Sequence, residues 1–231
     1  MRSESVGGAD AMTFGRDGAC RYTAALDIVA LNTIKAAISG LPADRAGLRL
    51  VAIAALNAHL SIDGAIGAIG KSVLGAKAKP VRALLFDKTP RANWKLGWHQ
   101  DRTIAVRRRV EIEGYGQWST KSGLQHVEPP FELLADMVTL RLHLDHVGAD
   151  NAPLLIAPGS HCFGRIAEID IRGVVEKCGT FICLADAGDV WLYSTPILHA
   201  SDAAAVPTRR RVLQVDYSAR ELPGGLEWLG V

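Results

Sequence analysis

The sequence predicts a mainly β chain, an antiparallel double sheet with helices packed on one side. Apolar residues recur at helical spacing through the first third and give way, after Pro80, to short strand-like runs. Glycine and proline punctuate those runs at Gly148, Pro158-Gly159, Gly188 and Pro207. Helices first and many short strands afterwards is the order of a two-layer sheet with helices on one face.

Residues 1–18 are polar and glycine-rich, which predicts a loose lead-in. Leu26, Val29, Leu31, Ile34, Ala37 and Ile38 give a helix within 24–41, stopped by Ser39-Gly40-Leu41-Pro42. A second helix is expected over 47–59 and a third, interrupted by glycine, over 62–75. Within the third, Ala65–Ser72 approximates the phosphate-binding pattern Gly-x-x-x-x-Gly-Lys-Ser, but alanine replaces the first glycine and no strand precedes it. An amphipathic helix with Ile62, Ile66, Ile69, Val73 and Leu74 inward is expected instead. Strands are expected at 81–86, 98–106, 138–145, 153–157, 181–184, 188–193 and 210–217. A turn at Thr89-Pro90, an irregular stretch over 107–130 and a short helix near 131–137 complete the pattern. At 231 residues the chain reads as one domain, with a mainly helical part over 1–79 and a strand core over 80–220.

Twenty-six basic and 24 acidic residues leave a net charge of +2, which argues against nucleic acid or an anionic membrane as the partner. A small-molecule partner is expected. The four cysteines (Cys20, Cys162, Cys178, Cys183) are scattered, so neither a zinc knuckle nor a disulfide framework is expected, and a cytoplasmic location is. No apolar run near the start suggests a signal peptide. The most apolar window, 48–60, is too short to span a bilayer and is broken by Asn57 and His59.

His99-Gln100-Asp101 carries the chemistry. On a strand, alternate side chains share a face, so the imidazole and carboxylate converge. They form two-thirds of the two-histidine, one-carboxylate set associated with non-haem Fe(II) oxygenases. Of seven histidines, His199 best fits the third place, following the strand-like Asp189–Tyr193 and Pro196-Ile197-Leu198. Eleven residues on, Arg210 lies within Arg209-Arg210-Arg211. A fixed guanidinium near a metal is what a dicarboxylate cosubstrate needs, and the adjacent arginines leave the register open by one residue. His143, Asp145 and His146 could form a second site, though a structural role fits them better. Arg107-Arg108-Arg109 reads as a solvated cluster at the start of a loop over the site.

Taken in order, Leu84–Pro90, Trp98-His99-Gln100-Asp101, Leu140–Asp145, Pro158-Gly159-Ser160-His161 and His199-Ala200-Ser201 with Arg210 resemble the phytanoyl-CoA dioxygenase family of Fe(II)/2-oxoglutarate oxygenases. The resemblance covers about residues 80–220. It implies a double-stranded β-helix (a cupin-like jelly roll) with helices on the major sheet. It also implies His99, Asp101 and His199 as iron ligands, and Arg210, Ser201 and Lys88 around 2-oxoglutarate, with O2 as the oxidant. Strand parity agrees, since Arg210 shares a face with Val212 and Gln214 while Leu213, Val215 and Tyr217 face the helices. Asp101 stands where related halogenases have alanine or glycine, so hydroxylation of an unactivated C–H bond is the implied reaction, with succinate and CO2 as co-products. Two departures are Ala152 where glycine is common, a residue that tolerates positive φ less well, and Gly97 where proline is common. The same triad with another metal could serve a cupin-like hydrolase or isomerase, and a jelly roll without turnover could bind or sense a small molecule. Substrate identity and oligomeric state are not legible.

Overall fold

The computed structural model describes residues 12–43 and 46–231. The N-terminal part contains α1 (Phe14–Asp17), β1 (Ala19–Tyr22), α2 (Ile28–Ala37), β2 (Leu48–Leu50), α3 (Ala54–Leu60) and α4 (Ala65–Leu74). Then follow β3 (Lys79–Lys88), β4 (Leu96–His99), β5 (Ile104–Val106), β6 (Gly116–Lys121), β7 (Leu124–Glu128) and α5 (Phe131–Ala135). The remainder is β8 (Val138–His143), β9 (Leu154–Ile156), α6 (Ile171–Cys178), β10 (Phe181–Cys183), β11 (Val190–Ser194), β12 (His199–Ser201) and β13 (Arg210–Ser218).

A six-stranded antiparallel sheet, β1-β11-β8-β13-β3-β2, faces a four-stranded one, β10-β9-β12-β4. This is the jelly roll the sequence leads one to expect. Trp191 and Tyr193 of the larger sheet pack on Leu154, Ile156 and Cys183 of the smaller, closing one end of the roll with an apolar core. On the outer face of the larger sheet, Leu31, Ile34, Leu56, Leu60 and Ile66 bury against Leu85, Leu140, Leu142, Leu213 and Tyr217. Each such aliphatic side chain removed from water contributes about 1.5–3 kcal/mol, which fixes the helices on that face.

Several element boundaries differ from expectation, each for a local reason. The lead-in contains α1, and residues 1–11 lie outside the described residues. The first helix begins at Ile28 because the Asp27 carboxylate accepts the Ala30 N–H at 2.8 Å, while Ala24 has φ +48°. The expected helix over 47–59 is a strand and a helix, separated at Ala52 (φ +55°), because Leu48 and Leu50 pair with Leu85 and Ala83 of β3. The expected strand over 98–106 breaks after His99. The stretch over 107–130 is not irregular: β6 and β7 form a hairpin through Ser122 and Gly123, both at positive φ, and β5 pairs along β7. Gly116-Gln117-Trp118-Ser119-Thr120-Lys121 lacks apolar alternation, so its strand was illegible. Helix α6 was missed, although Ile171, Val174, Val175 and Cys178 form a helical stripe against Leu198 and Trp98.

Helix α4 buries Ile66 and Ile69 as expected, but Val73 is exposed. Its glycines serve packing. A Cβ at Gly67 would lie 1.9 Å from the Ser61 carbonyl oxygen, and one at Gly70 would lie 3.1 Å from the Tyr217 ring. Gly67→Ala should therefore destabilise the protein by about 1–3 kcal/mol, outweighing the helix-propensity gain of about 1 kcal/mol. Urea unfolding measures the sign. Among the described residues, no helix is long and apolar enough to cross a membrane.

Candidate metal centre and its cationic cavity

β4 and β12 are neighbours in the smaller sheet, and His99 lies directly opposite His199, with ring centroids 4.2 Å apart. Asp101 reaches the same point from just beyond β4. One ligand atom from each of the three side chains can be chosen so that all lie within 4.8 Å of one another. Among the described residues this is the one such group of histidine, cysteine or acidic side chains. The alternative trio disperses, since Asp145 is engaged by Arg211 at 2.7 Å, His146 faces Asp186 at 2.7 Å, and both ring nitrogens of His143 are buried without partners.

The backbone orients both histidines. Nδ1 of His99 lies 2.8 Å from the Gly97 carbonyl, and Nδ1 of His199 lies 3.0 Å from that of Ile197. Donation from Nδ1 leaves each Nε2 as a lone-pair donor, which is how second-layer contacts set a ligating tautomer. Burial, then the neighbouring His99, pushes His199 down to about 4, so it is neutral near pH 7. For Asp101, burial acts to raise the pKa, but the charges of Arg82, His199 and His99 outweigh it and hold the carboxyl below its usual range. A neutral His199, a second imidazole from His99 and one ionised carboxylate suit a divalent cation with open positions.

Gln100, between the two ligand candidates, points the other way. Its amide donates to the Gly164 and Pro196 carbonyls at 3.0 and 2.8 Å and accepts from the Ile166 N–H at 2.9 Å. That clamp fixes the segment on both sides of it. The Pro158-Gly159-Ser160-His161 turn acts on the other ligand strand, where Ser160 Oγ accepts the Leu198 N–H at 2.9 Å. The serine, rather than His161, holds the approach to His199. His161 packs instead on Gly18, where a Cβ would lie 2.3 Å from its ring.

A cavity of about 550 Å³ joins the triad to the inner face of the larger sheet. At one end Lys88 Nζ donates to Ser201 Oγ at 3.1 Å and to the Asp202 carbonyl at 2.8 Å. Arg210 donates to the Ala152 carbonyl, which also accepts Ser201 Oγ at 3.2 Å, while Arg210 Nε is buried without a partner. Ala152 sits at φ +52°, the left-handed conformation its alanine disfavours. The three adjacent arginines differ in their surroundings. Arg209 pairs with Asp87 at 2.9 Å and Arg211 with Asp145 at 2.7 Å, whereas Arg210 alone of the three lines the cavity.

Two arginines were not anticipated. Arg82 is buried between Asp216 and Asp101, 3.4 Å from the latter, and Thr139 donates to Asp216 at 3.0 Å. Arg141 donates to Gln214 at 3.1 Å, lies over the Phe86 ring, and leaves its Nε unpaired. The signal was parity: residues 82, 84, 86 and 88 share the inward face of β3, and residues 139, 141 and 143 that of β8. A second cavity, about 440 Å³, lies across Asp101 beneath the β5–β6 loop, lined by Tyr115, Gln117, Pro130 and Phe131.

No protein-family model matches the sequence, and no curated protein is similar to it. Solved structures are similar. They include HygX from Streptomyces hygroscopicus with nickel and 2-oxoglutarate bound, 16% identical with a TM-score of 0.60 over 89% of this chain and 84% of that one. EctD from S. alaskensis in its apoform is 16% identical with a TM-score of 0.66, covering 98% and 84%. SnoN, a non-haem α-ketoglutarate-dependent epimerase from nogalamycin biosynthesis, is 14% identical with a TM-score of 0.61, covering 92% and 87%. At such identities the likeness is one of architecture, and the chain shares the fold of these proteins along most of its length.

Proposed function

We propose that this chain is an Fe(II)- and 2-oxoglutarate-dependent dioxygenase of the phytanoyl-CoA dioxygenase kind, hydroxylating a C–H bond of a small organic molecule. The observation that carries the reading is one cavity holding both the His99-Asp101-His199 triad and a buried, carboxylate-free cationic end at Lys88 and Arg210. HygX, with nickel and 2-oxoglutarate bound in the same fold, supports it. In this reading His99, Asp101 and His199 hold the metal. Arg210 takes the distal carboxylate of 2-oxoglutarate in a charge-assisted pair, and Ser201 and Lys88 supply further donors. Fe(II) would supply O2 reduction, with two electrons from oxidative decarboxylation of 2-oxoglutarate to succinate and CO2 and two from the C–H bond that becomes C–OH.

The residues around the metal supply geometry. Gln100 and Ser160 fix the two ligand segments, and Arg82 keeps Asp101 ionised and oriented. Asp101 would hold the coordination place that a halide would need, which favours hydroxylation over halogenation; SnoN is a reminder that this fold also supports epimerisation. Anaerobic addition of Fe(II) and 2-oxoglutarate should give the weak visible charge-transfer band of a bidentate 2-oxo acid chelate. Folded protein that yields no band, and no calorimetric heat with 2-oxoglutarate, would refute the proposal. Succinate release above the uncoupled rate across a small-molecule library then identifies substrates.

A pH dependence follows from Lys88. Burial, then the charges of Arg210 and Arg141, pushes its ammonium down to about 8 in the unliganded protein. An anion binds the protonated form, so 2-oxoglutarate affinity should hold below pH 8 and fall as pH rises through it. Calorimetry of nickel-loaded protein from pH 7 to pH 9.5 reads the slope, and Lys88→Met should flatten it.

A further inference from the structure

The cavity holds more positive charge than one cosubstrate uses. Besides Arg82, which Asp216 and Asp101 compensate, the described residues that line it include Arg49, Lys88, Arg102, Lys121, Arg141 and Arg210, against one acidic residue, Asp101. A dicarboxylate at the Lys88–Arg210 end compensates two of these six. Of the other four, Arg141 lies near that end, and Arg49 and Lys121 lie away from it.

Register places Arg49. Arg49 of β2 stands opposite Leu84 of β3, which stands opposite Gln214 of β13, itself opposite Arg141 of β8. One row therefore crosses the cavity floor and ends at Arg49, on the edge strand of the larger sheet. Lys121, at the end of β6, lines the same cavity and donates to Thr103 Oγ1 at 3.4 Å. Arg49 Nε lies 3.5 Å from Nε2 of the buried His126, whose Nδ1 faces the Leu124 carbonyl. His126 can thus accept from Arg49 but offers it no negative charge. Among the described residues no carboxylate pairs with Arg49 or Lys121. Burial lowers the pKa of both and the charge of Arg82 lowers them further, while Asp101 offsets part of this for Lys121. Two cations beside one cavity, neither in ion-pair contact with a carboxylate among the described residues, can receive an anion.

We propose that Arg49 and Lys121 form an oxyanion subsite, so that the substrate carries a carboxylate, sulfate or phosphate group held there while its reacting carbon faces the metal. The assignment of that anion as substrate rests on the dioxygenase reading; the subsite itself does not. Arg49 lies at the end of the row and Lys121 on the hairpin that covers it, so the pair sets substrate position from two separate elements.

The test uses nickel-loaded protein saturated with 2-oxoglutarate, which fills the Arg210 end, at low ionic strength to limit screening. Inorganic phosphate, sulfate and acetate are titrated in turn by calorimetry, and the strongest of the three reports the anion class. Single-site binding is expected, weakened about tenfold in Lys121→Gln and more than about a hundredfold in Arg49→Gln/Lys121→Gln. Affinity for 2-oxoglutarate and the melting temperature should be unchanged in both variants. No binding of any of the three to the wild type, or equal binding to the double variant, overturns the proposal. If 2-oxoglutarate itself fails to bind, the titration is repeated without it in an Arg210→Gln background. Anion binding that then depends on Arg49 and Lys121 keeps the subsite while the dioxygenase reading falls.

Discussion

Arg210→Ala is expected to weaken 2-oxoglutarate binding at least about hundredfold while leaving metal affinity intact. Removing one member of a buried, hydrogen-bonded charge pair costs about 2–5 kcal/mol, and Arg210 is among the most completely buried large side chains of the chain. Its neighbours are the control. Arg209 and Arg211 are each compensated by a carboxylate, Asp87 and Asp145, outside the cavity. Arg211→Ala and Arg209→Ala should leave cosubstrate affinity unchanged. Calorimetry on nickel-loaded protein separates the three. Loss in Arg211→Ala with none in Arg210→Ala would show that the opposite face of β13 binds the cosubstrate.

Arg82→Ala is expected to cost about 3–5 kcal/mol of stability, because it strands the buried Asp216 carboxylate without its cation. It should also weaken metal binding, since Asp101 loses the charge that keeps it ionised. The two effects can be parted. Arg82→Met with Asp216→Leu removes both charges and replaces them with apolar volume, so stability should recover substantially. Metal affinity should recover only in part, because Asp101 is freed of the Asp216 charge but still lacks Arg82. Urea unfolding and nickel titration of the two variants check this; a double variant that binds nickel like the wild type would assign Arg82 a purely structural role.

How much could be read beforehand depended on where the chemistry repeats at a legible spacing. His99-x-Asp101 and the Arg210 parity were readable because strand alternation places them, although Asp101 in fact stands beyond the end of β4. The apolar faces of α2 and α4 and the long β3, β8 and β13 strands were legible for the same reason. The β6–β7 hairpin was not, because its strands are polar on both faces and rest on turn geometry at Ser122-Gly123. Arg82, Arg141 and Asp216 escaped notice as single charges inside apolar strands, where parity gives the face each occupies but not its partners. Only their registration across β3, β13 and β8 makes them a network. Arg49 was hidden within a stretch expected to be helical, so its inward direction followed only from the pairing of β2 with β3.

The Ala152 peptide has a consequence for how ligands are received. Its carbonyl is the shared resting acceptor of Arg210 and Ser201, and its backbone holds a conformation that alanine alone would leave. An anion that engages those two donors competes with that carbonyl. Ser201, with one proton, must exchange acceptors to reach the anion, whereas Arg210 keeps Nε to offer beside its bond to the turn.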